Sequence, residues 1–362
     1  MKAVLLTGHG GLDKLEYHED IEQPEPGPGE ALVRVKACGL NNTDINTRTA
    51  WYSKDVEQGI TESAVKDGFA SPNEADGSWG SNSISFPRIQ GADVCGIVES
   101  VAGNPDSALS GKRVLVDPWL LDSSAPDDLS RAKYFGSEVD GGYAEYTILP
   151  VGNIYPVNSG YNDAELATFG CSYTTAENLI NRTGLSAGES IVISGASGGV
   201  GSAAIQLAKI RAATVIAISS PGKDQALLDL GADHVVDRGK QNLVSKIKNL
   251  AGGEVDVAAD VVGGDTFGVL IDCLRQGGRY SSSGCIAGPM VDFDLRKLIY
   301  RDLQLTGATV APAGTFARVL AYIESGQLKP VLAETWPLKD LARAQESFMK
   351  KRHVGNIVVR VD

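Results

Sequence analysis

The chain has 362 residues, 43% hydrophobic and 22% charged, which suits a folded protein of two domains and excludes global disorder. Its 33 Lys and Arg against 45 Asp and Glu give a net charge of −12, without the basic footprint of a nucleic-acid or anionic-membrane binder. Five cysteines, at 38, 95, 171, 273 and 285, never in CxxC spacing, read as reduced thiols of a cytoplasmic protein.

The first 150 residues read as short strands and turns. MKAVLLT is apolar, QPEPGPGE is a turn, and ALVRVKACG alternates as a half-buried strand does. ADVCGIVESV, GKRVLVDPW and GGYAEYTILP are further strands. The start turns polar too soon for a signal peptide, and no apolar run is long enough for a membrane span. Between Ser53 and Ser83 lies a polar stretch rich in Gly, Ser and Asn. Loops of that length are uncommon, and it reads equally as a solvated insertion with one short helix or as a cover over a site.

From about residue 160 the pattern alternates. DAELATFGCSYTTAENLINRTG reads as one helix with Asp163 as cap and Gly184 as stop. Then follow a buried strand, a glycine-rich turn, an amphipathic helix and a second buried strand, and the helix–strand alternation repeats to GGRYSSSG. This predicts a doubly wound parallel sheet. The tail is a helix ending at Gly326, then a helix and a terminal strand that can return to the N-terminal β region.

The sharpest motif is Ser194-Gly195-Ala196-Ser197-Gly198-Gly199-Val200-Gly201, between a strand and a helix, the context a dinucleotide site requires. Gly198 lets backbone approach a pyrophosphate, Gly201 lets helix pack on strand, and the helix N-terminus offers N–H groups to phosphates. Ala196 stands where the usual fingerprint has its first glycine. The next strand ends in Ser219-Ser220-Pro221-Gly222-Lys223, with no carboxylate before Asp224. A carboxylate there would accept from a ribose 2′-OH; two hydroxyls and a Lys instead favour a 2′-phosphate, hence NADPH.

Cys38-Gly39-Leu40-Asn41-Asn42-Thr43-Asp44, QGADVCGIVESV, GGYAEY, GASGGVG and GNIVV, in that order and spacing, resemble the medium-chain dehydrogenase/reductase superfamily over nearly the whole chain. The resemblance implies an α/β protein, with a GroES-like β-rich catalytic domain over 1–155, completed by 300–362, and a Rossmann NADPH-binding domain over 156–299. Alcohol dehydrogenases of the superfamily hold catalytic zinc through a Cys in C-x-[ST]-D, a His in GHE and a further Cys. The matching positions here are Asn41, Ala92 and Cys171, and the stretch 116–142 has no cysteine for a structural zinc. One ligand of three makes no zinc site, so no metal is expected.

The chain is similar instead to the zinc-free branch, which holds quinone oxidoreductases and enoyl thioester reductases. That likeness implies Asn41 near the nicotinamide and the substrate carbonyl, a structural Asp44, and Arg48 where many quinone oxidoreductases carry Arg. Tyr52 matches the proposed catalytic Tyr of mitochondrial-type enoyl thioester reductases, and many quinone reductases also have Tyr there. Thr175 matches a nicotinamide contact, Val262 to Gly264 and Ser283-Gly284-Cys285 match strand ends beside the nicotinamide, and Asn356 matches a residue that reaches the cofactor. Cys171 reads as structural.

The expected activity is zinc-independent hydride transfer from NADPH to a quinone or an α,β-unsaturated carbonyl compound, with Asn41, Tyr52 or a ribose hydroxyl stabilising charge on oxygen. The acidic balance of residues 51–80 disfavours a polyanionic thioester, if that stretch covers the cleft. An enoyl thioester reductase, a zinc-type alcohol dehydrogenase and a non-catalytic NADPH-binding protein are the alternatives. Relatives join subunits through the Rossmann sheet edge, here Arg279 to Phe293, which implies a homodimer or homotetramer.

Overall fold

The computed structural model describes residues 1–69, 84–104 and 106–361. A parallel sheet runs in the order His234–Asp237, Thr214–Ser219, Ser190–Ile193, Val255–Asp260, Leu274–Ser282 and Gln304–Gly307. Its middle strand explains why: Ile191, Val192 and Ile193 have no exposed surface, so it is apolar on both faces, as a strand between two helix layers must be. The chain winds outward from that strand to one edge, then returns and winds to the other. The reversal leaves a crevice at the carboxyl ends of the strands, where open α/β sheets bind ligands.

The last strand, Gln304–Gly307, extends this sheet beyond residue 299. The expected boundary is therefore early: the segment after 299 first completes the Rossmann sheet and only then crosses back.

The second sheet runs Ile154–Pro156, Arg113–Val116, Asp93–Val101, Glu30–Gly39, Asn356–Arg360 and Leu332–Pro337, with Tyr146–Pro150 also on Glu30–Gly39. The terminal strand does return, setting Val358 opposite Gly39 and Val359 opposite Cys38. Gly355, just before it, donates its N–H to Ser197 O at 2.9 Å. The chain's end is thus laid on the glycine turn.

The helix expected over 163–184 is two, Asp163–Leu166 and Gly170–Thr183. Asn162, not Asp163, is the cap: its side chain accepts from Glu165 N, and the Glu165 carboxylate accepts from Asn162 N. At the break, a Cβ on Gly170 would lie 2.5 Å from Asp93 Oδ1, so glycine lets the second helix start against that carboxylate. Gly184 closes the second helix in the left-handed region at φ 61°.

The long polar stretch holds one short helix, Glu62–Asp67, capped by Thr61. Before it, Ile60 N donates to Ile286 O at 2.9 Å, so this part of the stretch spans to the Rossmann side. Residues 70–83, with Trp79, Glu74 and Asp76, lie outside the described residues. No helix among the described residues is long and apolar enough to cross a membrane.

Candidate active site

A cavity of about 660 Å³ lies between the two sheets. Asn41, Tyr52, Thr175, Gly199, Val200, Gly284, Cys285 and Asn356, all expected at the site, line it. Trp51, Trp119, Tyr134 and Phe348 add four more rings, and among the described residues none of the lining carries a formal charge. Ala196, Ser197, Gly198 and Gly201 form the turn behind Gly199. Val262 is off the wall, where its neighbour Val261 stands instead.

The glycine turn is built by close approach. A Cβ on Gly201 would lie 2.4 Å from Gly195 O, and one on Gly199 would meet Asn356 Oδ1 at 2.2 Å and Ser172 Oγ at 2.3 Å. Ser172 donates to Asn356 Oδ1 at 2.8 Å, which turns the Asn356 amide so that Nδ2 is buried without a partner on the cavity side. The Ser219 hydroxyl, at the end of the next strand, is likewise buried without a partner. Unsatisfied buried donors at both places fit a ligand that brings acceptors. With a twelve-residue helix starting at Gly199, this set suits a dinucleotide.

Lys223 is less free than its sequence position implies. Its Nζ donates to Ser197 Oγ at 3.1 Å, to Lys351 O at 2.7 Å and to His353 O at 2.8 Å. It stitches the Rossmann side to the returning tail. No carboxylate is among these partners. Burial and the nearby Arg238 lower its pKa. Arg238, exposed beside the Ser219 strand end, is a second cation that the sequence reading missed, because it follows a different strand.

At the positions that hold zinc in relatives, the donor set does not fit a metal. Asn41 Nδ2 donates to Asp93 Oδ2 at 3.0 Å, and Ala92 has no donor. Cys171 keeps its proton, since burial pushes its thiol pKa up strongly. No group of three or more His, Cys, Asp or Glu among the described residues could hold a metal ion. The same bond qualifies the role expected of Asn41: its amide is engaged with Asp93, and its backbone N donates to Asp44 Oδ2 at 2.8 Å. Asp44 also accepts from Tyr143 OH at 2.8 Å, which places it as a structural brace.

Arg48 does not belong to the site. It is fully buried on the far side of its helix, donating to Gln345 Oε1, Gly10 O and Val65 O, each at 2.9 Å. Tyr52 does line the cavity. Burial raises its pKa to about 12, and hydrogen bonds from Thr43 and Asn46 only partly offset this, so the phenol keeps its proton at neutral pH.

Asp93 makes this region pH-sensitive. It is 1% exposed, and burial raises its pKa to about 7 against the pull of Asn41 and the Cys171 N–H. The unfolded value is about 3.9, so the native carboxyl keeps a proton that the unfolded chain has released. That contribution to stability is complete below about pH 4 and is lost as pH rises through about 7. Asp44, raised to about 6, acts in the same direction. Asp93→Asn is expected to flatten the fall in stability over this window, as read from urea midpoints at several pH values.

Comparison with known proteins agrees with this geometry. Residues 27–159 match the alcohol dehydrogenase GroES-like domain, and 199–325 match the zinc-binding dehydrogenase family. The chain is 28% identical to the quinone oxidoreductase of Mus musculus over 96% of its own length and 94% of that protein's. It is 27% identical to an NAD-dependent alcohol dehydrogenase of Sulfolobus acidocaldarius over the full length of both. A candidate alcohol dehydrogenase from Sinorhizobium meliloti 1021, solved as a crystal structure, is 42% identical, with a TM-score of 0.89 over 100% of this chain and 97% of that one. With Asn41 and Ala92 in place of metal ligands, the chain is an oxidoreductase of the medium-chain dehydrogenase/reductase superfamily and belongs to its zinc-free, quinone-oxidoreductase-like branch.

Proposed function

We propose that this protein is an NADPH-dependent reductase of small, uncharged conjugated carbonyl compounds, quinones and enones. The observation that carries the substrate class is the cavity wall, whose described residues include five aromatic side chains and none with a formal charge. A flat apolar acceptor gains from burial against such rings, and among the described lining residues no cation offsets the desolvation of a thioester carrier's own phosphates. The choice of NADPH rests on Ser219, Ser220 and Lys223, with Arg238 nearby, and on the lack of a carboxylate between Ser219 and Lys223. Thr175, Val200, Gly284, Cys285 and Asn356 are the wall against which the cofactor would lie, and the turn Ala196 to Gly201 would hold its phosphates.

When bound, the reduced nicotinamide supplies hydride. The chain's own part is to hold the acceptor flat, exclude water and donate to its oxygen as charge builds there. Tyr52, protonated and on the wall, is the proton donor in this reading. Tyr52→Phe is expected to lower kcat/KM for an enone by roughly 10- to 100-fold, the weight of one hydrogen bond to a charged acceptor. Unchanged turnover would remove Tyr52 from the mechanism.

The deciding experiment follows NADPH oxidation with a quinone and with a short enoyl thioester in parallel, each repeated with NADH. Faster turnover of the quinone supports the small-molecule reading; faster turnover of the thioester replaces it. No turnover of either, with tight NADPH binding, moves the protein to a binding role.

A homodimer, alone or paired into a tetramer, also fits. Met290, Leu295, Ile299 and Tyr300 are more than 60% exposed, beside the edge strand Gln304–Gly307, and such patches mark association surfaces. Light scattering checks this directly. Five unpaired cysteines support a cytoplasmic setting.

A further inference from the structure

Tyr134 was not singled out by its sequence context, yet it lines the same cavity as Tyr52 and Cys171. It comes from the two-stranded pairing of Trp119–Leu120 with Lys133–Tyr134. Its backbone is tightly held: Tyr134 N donates to Glu138 Oε2 at 2.9 Å, and Tyr134 O accepts from both Ser137 N and Glu138 N at 3.1 Å. Its ring meets Trp119 edge-on, with centroids 4.7 Å apart. The residue is 5% exposed, so its position is fixed.

A developing oxyanion is a stronger acceptor than the neutral groups that now surround the two phenols. Thr43 and Asn46 hydrogen-bond with the Tyr52 phenol. The Tyr134 hydroxyl donates to Cys171 Sγ, and a thiol sulfur is a weak acceptor that a developing oxyanion displaces readily. Burial holds the Tyr134 phenol well above its ordinary pKa, so it stays a donor throughout the neutral range. The other donor expected here, Asn41, is engaged with Asp93.

We propose that Tyr52 and Tyr134 together form a two-phenol oxyanion site that receives the carbonyl oxygen of the acceptor, with Tyr134 as the fixed donor. This rests on the reductase reading of the cavity. In that reaction hydride adds at the β-carbon of an enone, the C=C pair becomes the double bond between the α-carbon and the carbonyl carbon, and the C=O pair moves onto oxygen. Both phenols hydrogen-bond to that oxygen, and the enolate then takes its proton at carbon from Tyr52 or from water. Tyr134 keeps its own proton. A donor pair of this kind selects acceptors with one accessible carbonyl oxygen and an apolar remainder.

The test uses 4-nitrophenol, whose visible absorbance reports the ionised form, titrated into the full-length protein with and without NADP⁺. Wild type is expected to bind it as the nitrophenolate, and Tyr134→Phe to bind it roughly 10-fold more weakly, the loss of one charge-assisted donor. The neutral isostere 4-nitrotoluene should bind both proteins alike, since the phenylalanine ring keeps the contact with Trp119. Equal nitrophenolate affinity in the two proteins overturns the proposal. So does an equal loss for both ligands, which makes Tyr134 a packing residue, and so does binding of only the neutral phenol by wild type. Enone and quinone turnover by wild type is measured alongside. Its absence overturns the reductase reading, while the nitrophenolate comparison still decides the oxyanion site.

Discussion

An Arg48→Met protein is expected to unfold at a much lower urea concentration than wild type, while its folded fraction keeps turnover with a quinone or enone. The guanidinium is fully buried and joins three separate pieces of chain: the loop at Gly10, the end of the helix Glu62–Asp67 through Val65 O, and the helix Leu341–Met349 through Gln345. Burial lowers its pKa to about 10, and Asp13 partly compensates, so it remains charged at neutral pH. Methionine fills similar volume but leaves two backbone carbonyls and an amide oxygen without a donor. Each buried acceptor left unpaired costs about 1–3 kcal/mol, so losing the donor to three of them outweighs the loss of one ordinary hydrogen bond. Turnover per folded molecule is the discriminating readout. If it falls with stability unchanged, Arg48 acts at the site after all, and its placement here is wrong.

The case of Arg48 shows what kind of information the chain yields by itself. Sequence context places it one helical segment away from Asn41, beside the groups of a site. Nothing local says that its side chain points the other way, toward a helix almost 300 residues later. The glycine turn was legible because its logic is local: strand, turn and helix follow one another, and a Cβ at Gly201 would strike Gly195 and Ala196 of the same turn. The returning strand was legible from its apolar run and the β-rich start it had to match. The vacated metal positions were legible because a missing donor is a matter of residue identity alone.

What stayed hidden depends on pairing across distance. Trp119 and Tyr134 reach the cavity only because their two short strands pair. Lys223 reads as a phosphate donor from its place in the chain, yet it also bonds to carbonyls of Lys351 and His353. The break before Gly170 was hidden for a similar reason. The stretch is helical in composition, and the need for glycine comes from Asp93 on another strand.

Ser220→Asp is expected to reverse the cofactor preference. The position follows the strand Thr214–Ser219, at the edge of the crevice, with the unpartnered Ser219 hydroxyl on one side and Lys223 three residues on. A carboxylate there repels a 2′-phosphate and competes for the cations that would hold it; it also accepts from the 2′- and 3′-hydroxyls of an unphosphorylated ribose. The two effects act in opposite directions on the two cofactors. A loss of about 100-fold for NADPH and a gain of about 10-fold for NADH would shift the ratio of dissociation constants by roughly 1000-fold, some 4 kcal/mol. Ser220 is the better position to test than Lys223, whose removal would also cut the bonds to Ser197 and the tail. The measurement is a fluorescence titration of both reduced cofactors into wild type and variant. Parallel weakening of both would mean that the strand end had been disrupted, and would count against the 2′-phosphate reading of Ser219, Ser220 and Lys223. A selective loss of NADPH with NADH gained places the discrimination at this turn, and with it the choice of reductant.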